Sequence, residues 1–401
     1  MTEAVSLKEA AFVNPKAPKV GEIDPEQLYD FVPMQAVHED GRIEVTEARP
    51  HQEVAKGYTS FRSGDVLVAK ITPCFENGKI ALAETRTDFA FGSTEFHVIR
   101  SRENISDPRY LLHFLRLRRI RLEGEERMTG SAGQKRVPRN FLEDLKIPLP
   151  EIGEQRRIVE ILDKADGIRR KRVRLLEAVR DFLRSAYVHT VGHLNPNHNK
   201  WKPFKIDVLA EDRKGAIRSG PFGSALRHGE FVDEGIAVLG IDNAVQNKFA
   251  WSERRFITPS KYEELRRYTV FPGDVIITIM GTTGRSAVVP DDIPEAITTK
   301  HLATITCNKD LIHPEVLSFA IHSDPLIIRQ IKSFNKGAIM DGLNLGIIRK
   351  LEINLPPMAE QLRFVAMLQK ARAIEAKSQT PDGSGEDLFE SLSQRAFRGE
   401  L

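Results

Sequence analysis

The side chains best suited to covalent or metal chemistry are Cys74, Cys307 and a few histidines. A cysteine nucleophile acts as a thiolate and needs a base nearby, and His97 is the histidine that could serve Cys74. Two cysteines exclude a disulfide framework and a cysteine zinc site. His193 and His198 fall in the polar stretch Gly192–Lys200, which reads as a solvated linker rather than a metal site. Asp65 and Asp274 each follow a glycine and precede an apolar run, the position of a turn carboxylate that caps nearby backbone. There is no G-x-x-x-x-G-K-S/T phosphate loop and no G-x-G-x-x-G after a strand. On these residues the chain is expected to have no catalysis of its own. Its cysteines are expected to be small packing residues in a reducing compartment.

The elements that organise the chain are helical. From Glu154 to Tyr187 the apolar residues Ile158, Ile161, Ala165, Ile168, Leu175, Val179, Phe182 and Ala186 step by three and four, broken only at Arg172. That heptad pattern predicts a long helix, roughly 45–50 Å, packed along a seam against another helix. The stretch then recurs. Glu154-Gln155 returns as Glu360-Gln361, a shift of 206 residues, and Ile158, Ile161, Ala165 and Ile168 become Phe364, Met367, Ala371 and Ile374. The second copy is interrupted at Thr380–Gly385, where proline and glycines break a helix, and resumes at about Glu386.

What precedes each helix is also repeated. After a loose lead-in over residues 1–25, turn and strand signals mark Gly64–Lys70, an Asn77-Gly78 hairpin turn with a strand Lys79–Ala83, and a strand Phe96–Ile99. A helix over Pro108–Arg119, a basic loop Gly130–Arg136 and a last strand Asp144–Leu149 follow. Gly273–Ile277, Gly284-Arg285, Pro314 and Leu351–Pro356 repeat this frame, all at the shift of 206 except the Gly64 turn, which moves by 209. The loops between framework positions have diverged. The fold class is therefore α/β (α+β): two duplicated mixed domains, separated and followed by long helices in a pseudo-two-fold arrangement. The expected divisions are a first domain at 1–150, a spacer helix at 151–190, a second domain at 200–356 and a helical region at 357–401.

A net charge of +3 from 59 basic and 56 acidic residues means that any polyanion-binding surface is local. No apolar run reaches the roughly 18 residues of a membrane span, and the N-terminus lacks a signal-peptide pattern. A soluble cytoplasmic chain, with no membrane partner, is expected.

The Leu149-Pro150 to Glu154-Gln155-Arg156-Arg157-Ile158 junction, its copy Leu355-Pro356 to Glu360-Gln361, the segment Gly220–Ser224, the run Gly273–Ile276 through Gly281–Arg285 and the ending Leu388–Leu401 carry a family likeness. On them the chain resembles the specificity (S) subunit of Type I restriction–modification systems over residues 25–401. That resemblance implies a non-catalytic subunit with two target-recognition domains, each reading half of a bipartite double-stranded DNA target. It also implies helices that fix the gap and bind two methyltransferase subunits. S-adenosylmethionine would sit in those partners and not in this chain, and restriction subunits would join where they exist. The DNA-contacting side chains expected on this reading are Lys79, Gln134, Lys135, Arg136 and Arg139 in the first domain. In the second they are Arg218, Ser224, Arg227, Thr283, Arg285 and Lys300. Arginine and lysine suit phosphates and guanine edges, and glutamine suits adenine. Helix pairing and partner docking fall to Ile158, Ile161, Ala165, Ile168, Leu175, Val179, Phe182, Phe364, Met367, Ala371 and Ile374. The basic run Arg169–Arg174 suits phosphates or a partner's acidic face equally. Two rival readings remain: a scaffold whose domains bind protein, and an enzyme using Cys74.

Overall fold

A computed structural model of the protein describes residues 4–16, 26–44, 47–131, 133–245, 247–251, 253–334, 342–378 and 385–401. The chain folds as two compact units, Met1–Leu175 with Ser378–Leu401, and Leu176–Lys377. In the first unit an antiparallel sheet has the order Ala11–Val13, Phe96–Ser101, Val66–Ala69, Ile80–Leu82. In the second, Ile217–Ser219, Leu302–Ile305, Val275–Thr278 and Ser286–Val288 build the same sheet in the same order. Each unit adds a second sheet with one parallel pair. In the first it is Leu28–Val32 beside Phe89–Gly92, and in the second Ile236–Leu239 beside Ala296–Thr298. The residues of this region hardly repeat, yet the pairing does. A strand needs only side chains that fill a pleated, buried face, and different apolar residues supply that.

The structure departs from the expected elements in four places. Residues 4–16 are not loose. Ala4–Ser6 pairs with Lys146–Pro148, Leu7–Ala10 makes a helical turn, and Ala11–Val13 joins the main sheet, with Leu7, Ala10 and Ala11 buried. Pieces this short carry no periodicity, so only their distant partners define them; residues 17–25 lie outside the described residues. The helix expected over Pro108–Arg119 stops at Leu115, and a second one, Arg118–Glu126, follows. Between them Leu117 is extended, with ψ 131°, and is buried. Gly78 does take the left-handed φ of 75°, but the strands it connects are separated by the whole segment 70–79 rather than a two-residue turn. The strand expected over Asp144–Leu149 is shorter, Lys146–Pro148, after a helix Arg139–Asp144.

The long helix runs from Ile152 to Thr190, about 58 Å at the usual rise. Its first part lies in the first unit, where Ile158, Val159 and Leu162 share a core with Ala396 and Phe397. Its second part lies in the other unit, where Val179, Leu183 and Tyr187 pack with Phe364, Val365, Leu368 and Ala371 of the helix Met358–Ser378. The Tyr187 ring meets the Phe364 ring edge-on at 5.3 Å. Each unit thus combines one α/β domain with the leading part of one helix copy and the trailing part of the other. Of the interruption expected at Thr380–Gly385, residues 380–384 lie outside the described residues; helix is present from Gly385 to Ala396.

The buried stripe is offset from the predicted seam. Ile158, Val179, Phe364 and Ala371 are buried as expected, Ile161, Ala165 and Met367 are half-buried, and Ile168, Leu175, Phe182 and Ile374 are exposed. Val159, Leu162, Leu183 and Tyr187 take the inward places. The helices bury a face about 100° wide against their own domains, and this shifts the stripe from a strict heptad line.

The repeated glutamine fastens each helix to its domain. Gln155 is buried; its Oε1 accepts from the Asp107 N–H at 2.9 Å, and its Nε2 donates to Ile105 O and Pro150 O at 2.8 Å each. Gln361 does the same with His313 N–H at 2.8 Å and with Leu311 O and Pro356 O at 2.9 Å each.

Candidate nucleic-acid interface

The loops at one end of each main sheet carry most of the predicted contact residues. In the second unit the hairpin between Val275–Thr278 and Ser286–Val288 is closed by Thr278, whose hydroxyl donates to Thr282 O and accepts from the Arg285 N–H at 2.9 Å. Gly281 and Gly284 take φ of 76° and 80°, a backbone that favours glycine and lets the loop double back. Thr283 is half-buried within it, and Arg285 leaves it into solvent. Arg285 Nη1 lies 3.4 Å from His322 Nε2. Burial first, then the charges of Arg285 and Arg184, pull the His322 pKa down to about 4, so its ring is neutral at pH 7 and accepts from the guanidinium. With Lys332 these residues line a cleft of about 270 Å³. His322 and Lys332 were not picked out from the sequence; the available signal was that His322 stands where the first copy has Arg116.

A second loop group lies on the turn between Ala296–Thr298 and Leu302–Ile305. A Cβ at Gly220 would sit 2.2 Å from Thr299 O, so only glycine lets the Gly220–Ser224 segment lie against Thr299-Lys300. Ser224, Arg227 and Lys300 are exposed, and Phe222 beside them is an exposed aromatic that residue-type reasoning passed over.

Arg218 is different. It is buried, with Nη2 donating to Asp274 Oδ2 at 2.5 Å and Thr269 O at 2.6 Å, and Nη1 to Thr306 Oγ1 at 3.0 Å. Its donors are spent inside the unit, which removes it from the set able to reach a ligand. Asp274 also accepts from the Phe271 N–H at 3.0 Å, and Asp65 in the first unit accepts from Arg62 N–H at 2.7 Å and pairs with Arg100 at 2.7 Å. Both aspartates cap their turns as expected.

In the first unit, Thr129 and Arg136 exchange backbone hydrogen bonds at 3.0 and 2.8 Å, which pinches off the loop between them. The loop lies beside Thr72, whose N–H donates to Lys135 O at 3.0 Å. Gln134 and Lys135 are exposed on it. Arg136 is held by Glu95 at 2.8 Å, and that guanidinium keeps Glu95 below the usual carboxylate range. Arg139 pairs with Glu143 at 2.8 Å, and Lys79 Nζ donates to Met34 O at 3.2 Å. These three cations have internal partners, so Gln134 and Lys135 are the freer pair.

Cys74 is half-buried rather than buried. His97, the base it would need, has Nδ1 3.0 Å from Asn14 Nδ2 and Nε2 2.9 Å from Val137 O. Burial lowers the His97 pKa, and burial raises that of the Cys307 thiol. Among the described residues there is no group of three or more His, Cys, Asp or Glu able to hold a metal, and no helix long and apolar enough to cross a membrane.

The profile of the Type I restriction modification DNA specificity domain matches residues 14–178 and again 221–382, one match over each copy of the frame. The chain belongs to that family. Relatives include the Type I restriction enzyme EcoAI specificity subunit of Escherichia coli, 39% identical over 52% of this chain and 34% of that protein. The EcoEI specificity subunit, also from Escherichia coli, is 42% identical over 40% of this chain and 27% of that one. The alignments with this chain therefore span about a third of the length of these two relatives. The MjaVIII specificity subunit of Methanocaldococcus jannaschii is 22% identical over 69% of this chain and 65% of its own. Among solved structures, the Type-I restriction-modification system S subunit from M. genitalium aligns over 98% of this chain and 95% of that chain, with TM-score 0.58 and 16% identity. A chain from a type I R-M system aligns over 99% and 98%, with TM-score 0.53 and 20% identity. These two likenesses establish the fold: the duplicated mixed α/β domains and their helices are those of the family.

Proposed function

We propose that this chain is the DNA sequence-specificity subunit of a Type I restriction–modification complex and reads a bipartite double-stranded target, one half-site per recognition domain. The domains are those of residues 1–150 and 200–356, joined and followed by the helical regions 151–190 and 357–401. The observation that carries this reading is one sheet built twice with different side chains on the loops at its end. Gln134 and Lys135 stand there in the first unit, and Thr283, Arg285 and Lys300 in the second. An invariant partner would not call for two different surfaces on one frame. Lys79, Arg136 and Arg139 contribute to the field at that end while bonded internally, and Ser224 and Arg227 flank it. Two methyltransferase subunits dock on the helices, bringing S-adenosylmethionine and the catalytic groups for methylation; restriction subunits join where the system has them. Ile168 at 68% exposure and Phe182 at 52% are large apolar side chains left on a helix surface, as a docking face requires. The complex acts on cytoplasmic DNA.

Co-expression with a methyltransferase subunit encoded nearby, followed by sequencing of the host methylome, tests this. Methylated adenines in one split motif are expected. A soluble complex that methylates no motif would leave the protein-binding scaffold as the better reading.

Arg285→Ala tests the interface at one residue. The slope of log affinity against log salt is expected to fall by about one if Arg285 neutralises a phosphate. Discrimination at one base pair is expected to fall by about 1–3 kcal/mol if it reads a guanine. Unchanged affinity and unchanged motif would take Arg285 out of the interface.

A further inference from the structure

The long helix buries more positive charge around Asp166 than that carboxylate can satisfy. Asp166 is buried, and Arg169 Nε donates to its Oδ1 at 2.9 Å while Arg170 Nε donates to its Oδ2 at 2.7 Å. Arg116, at the end of helix Pro108–Leu115, comes too late to the same group. Its Nη1 stands 3.7 Å from Oδ2, beyond hydrogen-bond reach, and has no acceptor among the described residues. Arg169 Nη2 lies 2.8 Å from the Oδ1 its own Nε already uses, off the direction of a second bond, and has no acceptor either. Burial pulls the Arg116 pKa down to about 10 against the attraction of Asp166. Burial pushes Asp166 up, but the charges of Arg116 and its two helix neighbours win and hold it low. The first unit therefore holds a surplus buried cation.

That surplus faces a cleft of about 560 Å³ lined by Arg116, Arg121, Arg169 and His113 and, on its apolar side, Leu117 and Phe389. Arg121 Nη1 meets only Glu76 O, at 3.0 Å. His113 Nε2 engages Asp163 Oδ1 at 2.8 Å, and its Nδ1 is buried without a partner. Three residues of one cleft thus carry buried nitrogens with no hydrogen bond among the described residues, each of which calls for a water, an ion or a ligand to satisfy it. Gly41, at φ 81°, makes room: a Cβ there would stand 2.8 Å from Arg116 Nη1. Of the nearby carboxylates, Asp40 is turned to Arg42 at 2.5 Å, while Glu39 and Glu390 also line the cleft and confine an anion to its arginine side.

We propose that this cleft binds a phosphate group carried by a small molecule of nucleotide size. Guanidinium forks match phosphate oxygens bidentately, and Arg116 Nη1, a donor without an acceptor among the described residues, stands in the same cleft as the guanidinium groups of Arg121 and Arg169. The volume lies in the range of small-ligand sites, and Leu117 and Phe389 offer an apolar wall to the body that carries the phosphate. The cleft abuts the Asn77-Gly78 turn that carries Lys79 and corresponds in the first unit to the cleft of Arg285 and His322 in the second, so the test includes a duplex arm that separates a small ligand from DNA.

The test uses the full chain, with thermal unfolding and calorimetric titration of inorganic phosphate and adenosine monophosphate against chloride at matched ionic strength. Both anions are expected to raise Tm, with the nucleotide binding at least tenfold tighter than phosphate. Arg116→Gln removes an unsatisfied cation, so it is expected to keep its Tm in chloride, lose the phosphate-dependent rise and weaken nucleotide binding at least tenfold. No rise over chloride in the native chain, or an equal rise in Arg116→Gln, overturns the site. Equal affinity for phosphate and nucleotide overturns the nucleotide-sized ligand. If Arg116→Gln weakens duplex binding while the nucleotide does not bind, the site belongs to DNA and the proposal fails. Should Arg116→Gln not fold, Arg121→Gln decides: undiminished nucleotide affinity in that variant also overturns it.

Discussion

Asp274→Ala is expected to destabilise the second unit by roughly 3–5 kcal/mol, the usual cost of leaving a buried cation without its carboxylate. Arg218 would remain among Thr269 O, Thr306 and Gly215 O with no counter-charge, and the Phe271 N–H would lose its cap. Both tryptophans, Trp201 and Trp251, belong to this unit, so their fluorescence during urea unfolding reports it alone. The midpoint of that transition should fall for Asp274→Ala and stay in place for Asp65→Ala, whose partner Arg100 is in the first unit and more exposed. The measurement also separates two explanations of a DNA-binding defect. If Arg218→Ala weakens DNA binding with its tryptophan transition unmoved, Arg218 is a contact after all. If both fall together, its role is the buried ion pair.

Gln155→Ala and Gln361→Ala are expected to cost roughly 2–4 kcal/mol each, because each strips three backbone groups of their partner at once. Gln361→Glu should be no milder, since a carboxylate would face the carbonyls of Leu311 and Pro356 that now accept hydrogen bonds. The two sites are also separable by the same signal. Gln361→Ala should shift the tryptophan transition, while Gln155→Ala should leave it and appear only in circular dichroism. A tryptophan shift of the same size for both would mean that the two units do not unfold independently, and a shift for neither would deny the glutamine its role.

The sequence showed these glutamines as part of a repeat but not their function. A duplicated Glu-Gln after a proline is visible as identity at a fixed shift. That its amide reaches a loop fifty residues upstream is tertiary information, which no local pattern encodes. The helices were legible because their apolar spacing is sustained over many turns. Their inward face departs from the heptad line because that rule describes two helices packed on each other alone, whereas Leu162, Leu183 and Tyr187 also enter the core of an α/β domain. The strand at Ala11–Val13 escaped notice because three residues have no period, although it sits 206 residues before Ile217–Ser219. In the candidate interface the glycines of the Gly281–Arg285 loop pointed to a real loop. Residue type alone could not separate exposed Arg285 from Arg218. A guanidinium suits a phosphate and a buried aspartate equally, and the partner of Arg218 lies 56 residues away.

The exchange of helix segments between the two halves has a consequence for synthesis. The second unit is contiguous, Leu176–Lys377, and holds all its contacts once that stretch has left the ribosome. The first unit begins earlier and finishes later. Its core needs Ala396 and Phe397, whose ring sits 5.0 Å from Tyr110 and 5.4 Å from Phe114, and Arg157 donates to Leu401 O at 2.9 Å. The domain made first waits, with those aromatic faces open, until residues 396–401 arrive.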